Sequence, residues 1–196
     1  MRSKLYNSMP FCAKLEIFTM LREKFLESRK NLAVSSKTRR NKVMTKILFI
    51  CHGNICRSTM AEFVLKDTVR KNHMEADFFV ASAATSREEI GNGVHHGTLR
   101  KLHEVNIPVD KSKRAVQITK EDYNIYDYII AMDENNLRNL KRIIPEDTEG
   151  KIYKLLDFTD RGGDIADPWY TGNFDVTYDD ITEGIDGFME FLRRQK

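Results

Sequence analysis

The sequence predicts an α/β fold, a four-stranded parallel sheet with helices on both faces in three layers. Three observations carry this expectation. Short, continuous apolar runs recur, as strands buried on both faces require. Segments with apolar residues at helical spacing alternate with those runs. The alternation starts just after Met44 and fills about 150 residues, the size of one ordinary domain.

Taken in order, Ile47-Leu48-Phe49-Ile50 is the first strand and leads into a short polar loop. Met60, Ala61, Val64, Leu65, Thr68 and Val69 then recur at helical spacing, and the helix ends near Arg70–Asn72. Asp77–Ser82 reads as the second strand, and Thr98–Asn106 as a helix stopped before Pro108. Tyr128–Ala131 is a third buried strand, and Glu134–Ile143 a helix stopped by Pro145. Lys151–Leu155 is the fourth strand, and Asp157–Asn173 a loop rich in Gly, Asp and Pro. Tyr178, Ile181, Ile185, Phe188 and Leu192 mark one face of the last helix.

Composition narrows the function. With 41% apolar and 31% charged residues, the 196-residue chain builds a core and is not globally disordered. No stretch approaches the roughly 18 apolar residues of a membrane span. Three cysteines, Cys12, Cys51 and Cys56, are too few for a disulfide scaffold, and the odd count points to a reducing, cytoplasmic setting. Without a CxxC pair or matching histidines they do not read as a zinc site, so no metal or cofactor is expected. The net charge of +3 hides an asymmetry. Residues 1–43 carry eleven Lys and Arg against three Asp and Glu, whereas the remainder carries 21 against 26 and is mildly acidic. A nucleic-acid partner inferred from overall charge would rest on residues 1–43 alone, and none is expected.

Residues 1–43 form a basic extension set apart from the domain at 44–196. Leu15, Phe18, Leu21 and Phe25 give it weak helical periodicity, and a polar run follows from Ser35 to Lys42. It lacks the apolar core of a secretory signal. A basic arm for a membrane surface or acidic partner and an organelle transit peptide are two readings. The favoured one is that the segment is disordered or not natively translated. Arg39-Arg40 is encodable as AGG-AGG, a ribosome-binding sequence, three codons before Met44.

In open parallel α/β sheets ligands bind beyond the carboxyl ends of the strands, which directs attention to Cys51-His52-Gly53-Asn54-Ile55-Cys56-Arg57-Ser58. Successive backbone N–H groups at a helix N-terminus make an anion cradle. Gly53 and Asn54 tolerate the left-handed backbone such a turn needs. Arg57 grips two phosphate oxygens through its planar fork. Cys51 would sit at the base, where the helix dipole, the N–H groups and Arg57 favour its thiolate. The competing reading is a buried core cysteine. C-x5-R alone is a weak pattern; its place between strand and helix gives it weight.

Residues 46–62, KILFICHGNICRSTMAE, resemble the opening of low molecular weight protein tyrosine phosphatases, whose pattern is C-x-G-N-x-C-R-S-P. The likeness continues through Ser82–Ser86, Gln117–Asp122, Asp127–Ile129, Met132–Arg138 and Asp167-Pro168-Trp169-Tyr170. The resemblance implies the phosphotyrosine phosphatase I-like fold and hydrolysis of phosphotyrosine through a phosphocysteine intermediate. Cys51 would be the nucleophile, Arg57 the phosphate grip and Asp167 the general acid and then base. It further implies that Ser58 hydrogen-bonds the thiolate, Asn54 locks the loop, Asp133 supports the site and Cys56 is a redox partner of Cys51. Ser58 also has a reading as a helix N-cap.

The chain departs from the family pattern at several positions. His52 follows the nucleophile in place of an apolar residue; it would add positive charge or, the favoured reading, face solvent. Thr59 replaces a proline. Glu88 stands where an aromatic wall of the substrate cleft is usual, leaving Trp169 and Tyr170 as the wall. Lys113 replaces a histidine. His73, His95, His96 and His103 read as surface residues. Arsenate reductases need further downstream cysteines, which are missing here. A protein arginine phosphatase on the same scaffold is the alternative, disfavoured by the apolar Ile55 where those enzymes carry Thr. An inactive phosphopeptide-binding module is a remote third. The expected partners are phosphotyrosyl proteins and a tyrosine kinase, and the expected state is a monomer.

Overall fold

The computed structural model describes residues 44–195, so the reading of residues 1–43 lies outside the described residues. The strands are β1 (Thr45–Cys51), β2 (Phe78–Ala84), β3 (Tyr128–Ala131) and β4 (Ile152–Lys154). The helices are α1 (Arg57–Lys71), α2 (His96–Glu104), α3 (Asp122–Ile125), α4 (Glu134–Leu140), α5 (Pro168–Thr171) and α6 (Phe174–Arg194). Short 3-10 turns lie at Glu75–Asp77 and Leu155–Phe158. All pairings are parallel, in the order β2-β1-β3-β4.

Strand alternation divides the core in two. Ile47, Phe49 and Cys51 of β1 face a cluster built with Met60, Val64 and Leu65 of α1 and Ile181, Ile185 and Phe188 of α6. Leu48 and Ile50 face the other side, against Tyr123 of α3, Leu140 of α4 and Ile144. This is the predicted three-layer arrangement, and it explains the uninterrupted apolar run of β1. The outer end of α6 closes on rings: Phe158 and Phe188 have centroids 4.8 Å apart, and Tyr128 meets Phe188 edge-on at 5.2 Å. Gly184 and Gly187 let α6 approach the 155–158 turn; a Cβ on Gly187 would fall 2.2 Å from the Phe158 carbonyl oxygen.

The fourth strand is shorter than its pattern suggests, because Leu155 and Leu156 turn away as a 3-10 segment and enter the α6-side core. The 157–173 segment predicted as loop contains α5, a single turn whose start is set by Asp167 and Pro168. Neither α3 nor α5 is long enough to show a period in the sequence.

β1 lies inside the sheet, with its chain continuing through α1 to β2 on one side and its other neighbour, β3, on the opposite side. That is a topological switch point, and a crevice opens above the carboxyl ends of β1 and β3.

Candidate active site

The loop from Cys51 to Ser58 fills that crevice. Its carbonyls are bonded outward: those of Cys51, His52 and Ile55 accept from the backbone N–H groups of Thr85, Ser86 and His95 at 2.8, 3.0 and 2.9 Å. Because C=O and N–H point oppositely across a trans peptide, these bonds turn the intervening N–H groups toward the hollow. Asn54 takes the left-handed backbone at φ 58°. Gly53 does not share it, contrary to expectation. A Cβ there would fall 2.9 Å from Glu89 Cγ, so a larger residue would displace the Glu89 side chain from the cleft wall.

α1 begins at the loop's end, capped by Cys56 without a side-chain hydrogen bond and with no acidic residue in its first turn. Its N-terminal donors and dipole are therefore open to an anion. Ser58 is not the N-cap. Its hydroxyl is 3.0 Å from Cys51 Sγ, and the Asn54 N–H donates to the same sulfur at 3.3 Å. Both cysteines of the loop are free and buried.

Arg57 is buried, its side chain 3% exposed, and long-range partners fix it. Nη1 donates to Asp133 Oδ2 at 2.5 Å and to the Ile165 carbonyl at 3.0 Å, and Nη2 donates to Asp167 Oδ2. Its Nε is buried without a partner. Burial works against the guanidinium's charge. The neighbouring Cys51, Asp167 and Asp133 outweigh it and hold the pKa above the ordinary value. Both carboxylates do double duty. Asp133 caps α4 through Oδ1, accepting from Asn136 N at 2.6 Å, and Asp167 caps α5, accepting from Trp169 N at 3.1 Å.

Cys56 differs from Cys51. Burial, with Cys51 and Asp167 adding to it, pushes its thiol up to about 12, against smaller opposing effects of Thr98 and Arg57. A thiol so held stays protonated and neutral through the physiological range.

The cleft above the loop is lined by Glu88 and Glu89 and by Asp167, Trp169 and Tyr170. Trp169 and Tyr170 are 57% and 84% exposed at its edge. His52 does not simply face solvent: its Nε2 is 2.9 Å from Glu88 Oε2 across the rim.

Sequence reasoning missed several residues. His95 is no idle surface group; it caps α2, stacks on Phe174 at 5.3 Å and meets Trp169 edge-on at 5.7 Å. Burial and His96 hold its pKa below the ordinary value. Glu62 of α1 is buried and tied to Lys113, Nζ–Oε2 2.9 Å, so the lysine in place of the histidine remains integrated. Nothing in the local pattern marks Glu62, and only its tertiary partners reveal it. Among the described residues there is no grouping of His, Cys, Asp and Glu fit to hold a metal, and no helix long and apolar enough to cross a membrane.

A cysteine and an arginine with five residues between them, wrapped around an anion cradle at a sheet's switch point, define the class of C-x5-R phosphate-binding proteins. The family model for low molecular weight phosphotyrosine protein phosphatases matches residues 46–196, and the chain belongs to that family. The low molecular weight protein-tyrosine-phosphatase PtpA of Staphylococcus aureus is 35% identical over 150 residues, covering 76% of this chain and 94% of that protein. The crystal structure of YfkJ from Bacillus subtilis superposes with a TM-score of 0.74 at 35% identity, over 78% of this chain and 97% of that one. SP-PTP, a low molecular weight protein tyrosine phosphatase from Streptococcus pyogenes, gives 0.67 at 41% identity, over 76% and 93%. A Drosophila arginine phosphatase gives 0.68 at 28%, over 76% and 98%.

Proposed function

We propose that the chain is a protein tyrosine phosphatase in which Cys51, Arg57 and Asp167 do the chemistry. The observation that carries these roles is that Cys51, Arg57 and Asp167 line one hollow, with Arg57 Nε buried and unpartnered and Asp167 bonded to Nη2.

The dianionic phosphate enters the loop, where Arg57 and the N–H groups take its oxygens. It competes with Asp167 for Nη2. Released from the guanidinium and set beside phosphate oxygens, Asp167 takes up a proton and becomes the acid. Cys51 Sγ attacks phosphorus in line. An S–P bond forms, the P–O bond to the tyrosyl oxygen breaks, and that oxygen leaves with the Asp167 proton. Asp167, now ionised, draws a proton from water, whose oxygen attacks phosphorus. The S–P bond breaks, and phosphate and the thiolate are restored. No step asks anything of a metal.

Ile55, 8% exposed on the cleft floor, and the Trp169 and Tyr170 rings favour an aromatic leaving group over a guanidinium. Cys56, five residues from the nucleophile, is the proposed redox partner, condensing with oxidised Cys51 to a reversible disulfide. Phosphotyrosyl proteins, a tyrosine kinase among them, are the proposed partners, for a cytoplasmic monomer.

The test is hydrolysis of para-nitrophenyl phosphate in EDTA with a reductant, by wild type, Cys51→Ser and Asp167→Asn, followed by phosphotyrosyl and phosphoarginyl peptides. Activity lost in Cys51→Ser and sharply reduced in Asp167→Asn, with phosphotyrosine turned over faster, supports the assignment. An inactive wild type refutes it, and faster phosphoarginine turnover transfers the site to the alternative substrate.

A further inference from the structure

His95 joins three segments that border the cleft. Its backbone N–H donates to the Ile55 carbonyl of the loop at 2.9 Å. Its Nδ1 accepts from Gly97 N at 3.1 Å and caps α2. The ring lies flat on Phe174 at the start of α6, centroids 5.3 Å and planes 6° apart, and meets Trp169 of α5 edge-on at 5.7 Å. Phe174 is itself wedged against α2: a Cβ on Gly97 would fall 2.3 Å from its ring. α5 is a single turn, and within it Asp167 Oδ1 accepts from Trp169 N at 3.1 Å. What fixes the Trp169 ring therefore bears on the segment that carries the Asp167 carboxyl.

The cap dictates the protonation state. Nδ1 accepts only through a lone pair, so the ring is neutral with its proton on Nε2. A second proton has only Nδ1 to occupy. Nδ1–H would then confront Gly97 N–H, and the cation would sit at the positive end of the α2 dipole. Burial, His96 with its ring centroid 4.1 Å away, and Arg100 all oppose that proton. Glu89 of the cleft wall favours it, and the balance holds His95 below the ordinary 6.5. Beside Trp169 and Phe174, Asp167 is engaged by Arg57 and Asp175 by Lys101. On the loop side Cys56, next to Ile55, stays neutral. Once protonated, the ring must turn from Gly97, and that turn breaks the stack on Phe174 and the edge contact with Trp169.

We propose that neutral His95 is a positioning residue: it holds Trp169, and with it the turn that carries Asp167, against the loop, and protonation at Nδ1 releases this wall of the cleft. The kinetic consequence rests on the reading of Asp167 as the acid; the position of Trp169 does not. Release leaves the loop's hold on phosphate, so on the acid side kcat falls more than KM rises.

Trp169 is the only tryptophan in the chain, so its fluorescence reports the contact directly. The test is acrylamide quenching of the full chain between pH 8 and pH 5, for wild type, His95→Asn, His95→Phe and His96→Gln. In wild type the quenching constant is expected to rise in one step with a midpoint below 6.5. Asn caps a helix well but has no ring and no proton to gain, so His95→Asn is expected to show the acid-limit constant at every pH. His95→Phe keeps the ring contacts and is expected to show the neutral-limit constant throughout. His96→Gln keeps the step and moves its midpoint up. In His95→Asn, kcat for phosphotyrosine at pH 7 falls about tenfold, short of the roughly 10²–10⁴-fold that a general acid contributes. A constant that stays flat in wild type, or a step that persists in both His95 variants, overturns the proposal. So does a fall in intensity with the constant unchanged, which marks quenching by an imidazolium that has not moved, or an unchanged kcat in His95→Asn of an active enzyme. If His95→Phe does not fold, wild type and His95→Asn decide. Quenching needs no phosphoester, so a protein that shows the step but hydrolyses nothing sinks the phosphatase reading alone.

Discussion

Replacing Asp133 by Asn separates two jobs that one carboxylate performs with two oxygens. Oδ1 accepts from Asn136 N at 2.6 Å and caps α4; Oδ2 accepts from Arg57 Nη1 at 2.5 Å. Asparagine has one oxygen. If that oxygen stays on the helix cap, the amide NH2 confronts the guanidinium; if it flips to Arg57, α4 loses its cap. Asn is as good an N-cap as Asp, so the first arrangement is expected, with Arg57 losing a charge-assisted bond. At a site where Arg57 is 3% and Asp133 14% exposed, that loss costs about 1.5–3 kcal/mol. For a domain of this size it lowers the melting temperature by roughly 5–10 °C. Asp133→Ala also removes the cap and costs about 1 kcal/mol more. Arg57, tethered only by Ile165 O and Asp167, then holds phosphate less well, and kcat/KM for para-nitrophenyl phosphate falls about 10²-fold, the scale of a small misplacement. Thermal melts and initial rates on the three proteins give the answer. Asp133→Asn with an unchanged melting temperature and wild-type kcat/KM would refute the reasoning.

Further predictions address other parts of the molecule. Iodoacetamide at pH 8 modifies Cys51 and spares Cys56, whose thiol is pushed up to about 12; equal labelling of the pair, read by tandem mass spectrometry, counts against the burial argument. Glu62 and Asp147 are held below their ordinary values, burial opposing and hydrogen-bond or charge partners prevailing. Each therefore contributes stability above its unfolded pKa that is lost as pH falls through the folded one. The urea midpoint should drop between pH 6 and pH 3.5, and the drop should shrink in Glu62→Gln; a pH-independent midpoint would contradict this. Gly187→Ala gains about 1 kcal/mol of helix propensity, but its Cβ would fall 2.2 Å from Phe158 O, a backbone atom, so net destabilisation of about 1–3 kcal/mol is expected by chemical denaturation. A variant as stable as wild type would mean the 155–158 turn moves freely.

What the sequence made legible follows from range. The strands declare themselves because both faces of β1 and β3 are buried and polar residues are excluded. The loop is legible because the backbone and the arginine that form it are contiguous. The start of α1 was misplaced by three residues, since Arg57, Ser58 and Thr59 are polar yet buried, and periodicity counts only apolar positions. The partners of Arg57 at Asp133, Ile165 and Asp167 are 76 to 110 residues away, and nothing local records them. Asp133 and Asp167 were found through resemblance. Glu62 and His95 were not found at all, because a glutamate in a helix and a histidine before one are ordinary surface patterns.

The floor and the rim of the cleft are built by different rules. Cys51, Asn54, Ile55, Arg57 and Ser58 are buried, and Cys51, Asn54 and Ser58 are bonded to one another, so a change at one of those three propagates to the others. Glu88, Trp169 and Tyr170 stand exposed on the surrounding loops. Exchanges at exposed positions of this kind typically shift stability by no more than about 0.5 kcal/mol in either direction. The floor and the rim can thus be altered separately. A phosphate trap of this kind can keep its floor while its walls change, and the exposed Glu88 lies on the part of the wall where an exchange disturbs the fold least.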